Sequence, residues 1–312
     1  MSTNRVGDVL LLAVAVVWGS SYLTAKTLVV AGGVLVVLAL RFLVSAAAML
    51  PFLARHRPGR REIGVGLLLG VTQASVLALE TYGVALTSAT NAGVLISLTI
   101  LLTPMLEGLV TRRWLPRSFF VAAAAATFGV VLLVAGPGFR TPSAGDALIL
   151  AAAVVRAAHV TLSAHLTSGR PYDTTTLTTL QTVVGAVVFT LAAGPALLPA
   201  AATFHAGQWL GIVYLALGCS VFAFVVQLWA IRRTSASRAS LLLGTEPVWA
   251  VIFGLLLAGD HLTLVSGTGM AFVLAGTYCG QRAESRARSA SEPKILQIHR
   301  ADTAQTGLSG VI

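Results

Sequence analysis

Residues Thr87–Leu115 read TSATNAGVLISLTILLTPMLEGLVTRRWL, and residues Thr234–Leu262 read TSASRASLLLGTEPVWAVIFGLLLAGDHL. The two segments align without a gap at a spacing of 147 residues. Each opens with Thr-Ser-Ala, keeps small residues early, and closes on a polar pair before Leu. Upstream, Tyr82 matches Trp229 and Glu80 matches Gln227. The match runs through a loop and a complete apolar stretch, which points to a duplicated unit and not to two helices of similar composition.

The composition states what kind of unit is duplicated. Of 312 residues, 56% are hydrophobic and only 10% are charged, whereas a soluble domain usually carries roughly 25% charged residues. Val9–Val30 holds one charge, Lys26, and Gly64–Leu86 holds one, Glu80. About 20 helical residues cross a hydrocarbon core of roughly 30 Å, and these runs lack the two-residue alternation of a barrel strand. The expected fold class is an all-α, polytopic membrane protein. The first run has no small-residue cleavage site after it, so it reads as a retained span and not a removed signal peptide.

Apolar runs between polar breaks give ten spans: 9–30, 33–54, 63–86, 89–110, 118–134, 144–165, 174–198, 209–231, 236–257 and 264–279. Short cytoplasmic loops are enriched in Lys and Arg. With the N-terminus inside, Arg55, Arg57, Arg60, Arg61, Arg112, Arg113, Arg117, Arg170, Arg232, Arg233 and Arg238 fall in inside loops. Arg5, Arg282, Arg286, Arg288, Lys294 and Arg300 join them at the termini. Arg140 alone falls outside, and Lys26, Arg41 and Arg156 lie within spans. This distribution accounts for the net charge of +10 without any nucleic-acid partner. A repeat of five spans inserts its second copy upside down, and inverted repeats are the mark of alternating-access transporters. The domains are therefore 8–137, an inverted 144–281, and a polar, disordered tail over 282–312.

Trp18-Gly19-Ser20-Ser21 with Lys26, Leu40-Arg41-Phe42, the Thr-Ser-Ala openings at Thr87 and Thr234, and Glu246-Pro247 occur in order along the chain. In this the sequence resembles the drug/metabolite transporter superfamily, in particular its EamA-like ten-span branch. The resemblance covers both repeats. It implies a central cavity lined by the first four spans of each half, with the fifth and tenth spans peripheral. It also implies transport of a metabolite, amino acid or drug, often outward and coupled to a proton. A multi-pass protein of a bacterial inner membrane with both termini cytoplasmic follows. The partners expected are the small-molecule substrate, a proton and the lipid bilayer; a homodimer is one option for assembly.

An ionisable group at bilayer depth is costly unless paired or hydrated, so it usually faces the bundle interior. Glu80 lies about 9 Å and Arg41 about 12 Å below the outer ends of their helices, placed to meet with Lys26 above them. Arg156 and Glu246 fall near the middle of their spans, where a carboxyl can couple protons and Arg156 can pair with it. A structural salt bridge and a functional role both fit these four charges. His159 lies one turn from Arg156 on the same face, as a satisfied interior group or a proton relay. Trp18, Gln227, Gln73, Tyr82 and Trp229 are cavity-lining or packing residues. Glu107 is expected to pair with nearby Arg112, and Asp146, Asp260 and His261 to be interfacial. Cys219 and Cys279 read as small apolar packing groups. No catalytic residue, metal or cofactor is expected: His-Glu-x-x-His and Gly-x-Ser-x-Gly are both absent. A membrane scaffold or sensor is the alternative to a transporter, ahead of an intramembrane enzyme.

Overall fold

The computed structural model describes residues 3–53, 55–87, 95–134, 143–253, 255–256 and 263–291. Among these residues the chain is helical throughout, without strands. Residues 3–134 supply α1 (Thr3–Gly32), α2 (Val34–Leu53), α3 (Arg60–Leu86), α4 (Thr99–Thr111) and α5 (Arg117–Val134). Residues 143–291 supply α6 (Ala144–Thr167), α7 (Thr174–Thr203), α8 (Ala206–Arg233), α9 (Ala236–Leu243), α10 (Glu246–Phe253) and α11 (Leu264–Ser291). Five of these, α2, α3, α6, α7 and α8, are long and apolar enough to cross a membrane. A sixth is added if α1, bent by 46° between Ser21 and Thr24, counts as one span. The protein is a multi-pass helical membrane protein.

Helix ends follow local chemistry. Gly33, at φ +77, makes the corner between α1 and α2, a conformation that costs a residue with a Cβ. Ser143 and Asp146 cap α6 reciprocally, and Asp146 also accepts from Thr87 at the end of α3. Pro247 enters at the start of α10, where a missing N–H costs nothing. The expected continuous ninth span is thus broken at Gly244-Thr245, just ahead of Glu246.

Lipid tails are as apolar as Leu, so helices in a bilayer associate by close packing at small residues. The core lies where α2 meets α7 and α3 packs on both α6 and α7; the Phe42 and Phe189 rings pack at a 45° tilt with centroids 5.3 Å apart. Helices α5 and α11 pair most extensively with each other. A Cβ built on Gly269 would lie 2.7 Å from the Gly129 carbonyl oxygen, and one on Gly276 2.6 Å from that of Ala122. The two backbones are in contact, and neither can yield as a side chain would. Gly269→Leu is expected to destabilise the protein by about 1–3 kcal/mol or more, as overpacking does, read as a lower thermal midpoint in detergent.

The expectation of disorder over 282–312 is corrected for its first part. The last helix continues to Ser291, with Ala283 and Glu284 buried. The polar composition there reflects a helix whose acid is paired: Glu284 accepts from Arg238 at 2.8 Å and from Ser235 at 2.9 Å. Residues 292–312 lie outside the described residues, as do Arg140, Asp260 and His261.

Candidate functional site

A cleft between the two halves is lined by Trp18 of α1, Thr99 and Thr103 of α4, Arg156 and Val160 of α6, Gln227 of α8, Ser240 and Leu243 of α9, and Glu246 and Pro247 of α10. Ile96 and Ser97, in the helical turn ahead of α4, and Gly244 complete it. Three pairs that the sequence repeat aligns face this one space: Ile96 with Leu243, Ser97 with Gly244, and Thr99 with Glu246. A fourth, Glu80 with Gln227, contributes one lining residue and one partner of a lining residue. The cavity volume is about 40 Å³, room for ordered water but far less than the roughly 300–1,000 Å³ that surrounds a drug-sized ligand.

Its electrostatics centre on Arg156. The guanidinium pairs with Glu80 of α3 and lies over the Trp18 ring, 5.8 Å from its centroid, within cation–π range. Both pair members keep only about a fifth of their side-chain surface exposed, 20% and 17%. Thr103 is fully buried, and its hydroxyl finds no partner among the described residues. Glu246 heads α10, where the positive end of a helix dipole favours a carboxylate.

Beside the cleft, α8 passes through a π-helical stretch, Leu217–Phe222, a feature that frees carbonyls and gathers at functional sites. The Trp18 indole N–H donates to the Cys219 carbonyl at 2.9 Å. Arg41 donates to the Ser220 hydroxyl at 2.7 Å and to the same Cys219 carbonyl at 3.1 Å. Ser45 donates to the Ala216 carbonyl at 3.1 Å, and Ser20 meets the Tyr214 hydroxyl. The Trp-Gly-Ser-Ser motif of α1 is therefore docked on this irregular segment. Gly19 is required for the approach on the other side. A Cβ there would lie 2.7 Å from the Trp249 Cβ and 2.9 Å from the Glu246 carbonyl.

The structure brings Trp18, Arg156, Gln227 and Glu246 together, and holds Glu80 behind Arg156. It corrects one expected pairing. Arg41 does not pair with Glu80 beneath Lys26; it is taken by the π-helical segment, and Lys26 is exposed. Glu80 instead pairs with Arg156, because α3, which carries Glu80, packs along α6 and only slightly on α2. His159 is buried and shares a 2.8 Å hydrogen bond with Thr72, a satisfied interior group. Tyr82 is exposed, and Trp229 lies under Arg233 at 4.4 Å; neither lines the cleft. Glu107 does not turn to Arg112. It caps α9, accepting from the Ser237 amide at 2.8 Å and the Ala236 amide at 3.2 Å. Cys219 is buried and Cys279 exposed, both free thiols. Thr103, Tyr214 and Ser220 escaped sequence reasoning, since a lone hydroxyl in an apolar run carries no periodic signal.

A model of the EamA-like transporter family matches the chain twice, over residues 5–135 and 143–279. An uncharacterized transporter of Archaeoglobus fulgidus is 26% identical over 270 residues, covering 86% of this chain and 83% of its own. The uncharacterized transporter YetK of Bacillus subtilis is 27% identical over 302 residues, covering 91% and 89%. A crystal structure of a protein 18% identical shares the fold, with a TM-score of 0.73 over 92% of this chain and 99% of that one.

Proposed function

The chain belongs to the EamA-like transporter family, and from that premise we propose that it is a secondary active transporter exporting a small organic molecule by alternating access. In this reading ten spans form two inverted five-helix repeats, 8–137 and 144–281. The protein sits in the cell membrane, a bacterial inner membrane, with both termini cytoplasmic. The cargo is a metabolite, an amino acid or a drug, and a proton drives its exit.

The observation that carries the reading is the cleft where repeat-related positions converge, Thr99 opposite Glu246 and Ser97 opposite Gly244. A site at the interface of two copies is where rocking one half against the other exposes it to alternate sides. The broken α9–α10 helix supplies the second ingredient. Discontinuous helices line such sites because their free backbone ends face water and substrate, not lipid. Arg156 and Glu246 offer both signs of charge, Trp18 an aromatic face, and Thr103 an unused hydroxyl.

Glu246 is the coupling group in this scheme. Protonated, it no longer competes for the cation that the cleft contains; ionised, it does. Inverted vesicles containing the full chain and given a panel of metabolites and drugs test this. Wild type is expected to move at least one compound when a pH gradient is imposed, and Glu246→Gln to lose the gradient dependence. Full gradient-driven transport in the variant would remove Glu246 from coupling.

A further inference from the structure

We propose that the groove between the first two turns of α3 and the end of α6 binds one anionic phospholipid, its phosphate on Arg61 and Arg170 and an acyl chain along Val65, Leu68 and Leu166. The groove has a volume of about 410 Å³, and Tyr172 completes its lining. Along α3, positions 61, 64, 65 and 68 share one helix face, so the charge sits at the end of an apolar stripe. Leu68 is 46% exposed, and neighbouring Leu67 and Val71 are exposed as well, a surface that suits lipid and not water.

The cationic end is built and uncompensated. Arg232 of α8 holds the loop after α6 by donating to the carbonyls of Arg170 at 3.0 Å and Tyr172 at 2.7 Å, and to the Thr174 hydroxyl at 2.6 Å. The acid beside Arg61 in sequence, Glu62, is buried and faces elsewhere: it accepts from the Asp173 amide at 2.7 Å and meets His56 at 3.1 Å. Among the described residues neither Arg61 nor Arg170 has a carboxylate partner. Basic pockets between helices at a membrane interface take anionic head groups, and guanidinium binds phosphate oxygens in a fork. A free anion would use the two arginines but has no need of the apolar stripe. The apolar half of the groove therefore selects a phospholipid.

The inference rests on the chain spanning a membrane, not on transport or on which side the groove faces. Native mass spectrometry of the delipidated full chain in detergent reads it independently of both. The chain is titrated with phosphatidylglycerol and with phosphatidylcholine of matched acyl chains. One phosphatidylglycerol is expected to bind in preference. Arg61→Gln with Arg170→Gln is expected to weaken it about 30-fold, the effect of two interfacial cations. Leu68→Ser, which leaves the charge intact, is expected to weaken it as well. The control pair Arg112→Gln with Arg117→Gln, in another basic loop, is expected to leave binding unchanged. Equal retention of phosphatidylcholine, equal loss in the control pair, or no effect of Leu68→Ser would each overturn the assignment. Displacement of the lipid by equimolar glycerol phosphate would reassign the groove to a soluble phosphate.

Discussion

Glu80→Gln is expected to destabilise the protein by about 3 kcal/mol, the lower end of the range for stripping one partner from a buried ion pair. The lower end applies because both side chains keep some exposure, 17% and 20%. The substitution takes from the Arg156 guanidinium the carboxylate that it pairs with across α3 and α6. Arg156→Gln strands the carboxylate instead and is expected to cost a similar amount. The double variant Glu80→Gln with Arg156→Gln removes both charges, and most of the lost stability should return, since the two sites are in contact and non-additive. Transport should not return with it, because Arg156 faces the cleft and stacks on Trp18. Thermal unfolding and vesicle transport measured on the same three variants separate the two contributions. Recovery of transport along with stability would make the pair purely structural.

Arg238→Met carries the other large effect, at the far end of the bundle. Arg238 donates to both Asp8 carboxylate oxygens, at 2.7 and 2.6 Å, and to Glu284 at 2.8 Å and Ser285 at 2.7 Å. One side chain thus joins α1, α9 and α11. Its side chain is 9% exposed and that of Glu284 only 1%. Removing the cation leaves a buried carboxylate with Ser235 and a weakly placed Arg288 at 3.6 Å. A loss of about 3–5 kcal/mol is expected, read as a lower thermal midpoint and as faster proteolysis beyond Ser285. Adding Asp8→Asn and Glu284→Gln to Arg238→Met is expected to restore much of it. A triple variant no more stable than the single would show that geometry, not stranded charge, dominates at this junction.

The contrast between these two clusters shows how far sequence carries. Composition and run length are enough for membrane-spanning helices, because the bilayer dictates both. The repeat brought Thr99 and Glu246 into register before any coordinates, and the cleft places them in one space. Trp18, Arg156, Gln227 and Glu246 were legible for the same reason: polar or aromatic groups at mid-span are driven inward.

Partner choice was not legible. Depth along a helix fixes height but not azimuth, so Glu80 is matched to Arg41 by height, whereas the packing of α3 on α6 sets it against Arg156. Glu107 was matched to a sequence neighbour five residues on, a spacing that does not share a helix face. The unsatisfied amides that it caps belong to the other half of the chain. The π-helical segment reads as ordinary apolar sequence, LGCSVF, and nothing in its periodicity announces the carbonyls that Arg41 and Trp18 collect. The helix beyond Gln281 was misread because its acid is neutralised by residues distant in sequence.

Solvent access to the cleft from each face of the membrane is the most direct test of the account. Ser97→Cys is placed in a background of Cys219→Ala and Cys279→Ser, and right-side-out and inverted vesicles are treated with a membrane-impermeant maleimide. Alternating access predicts labelling from both faces, with the ratio of the two rates shifting when the pH gradient is reversed. Labelling confined to one face at every gradient would contradict it and leave the cleft a fixed vestibule.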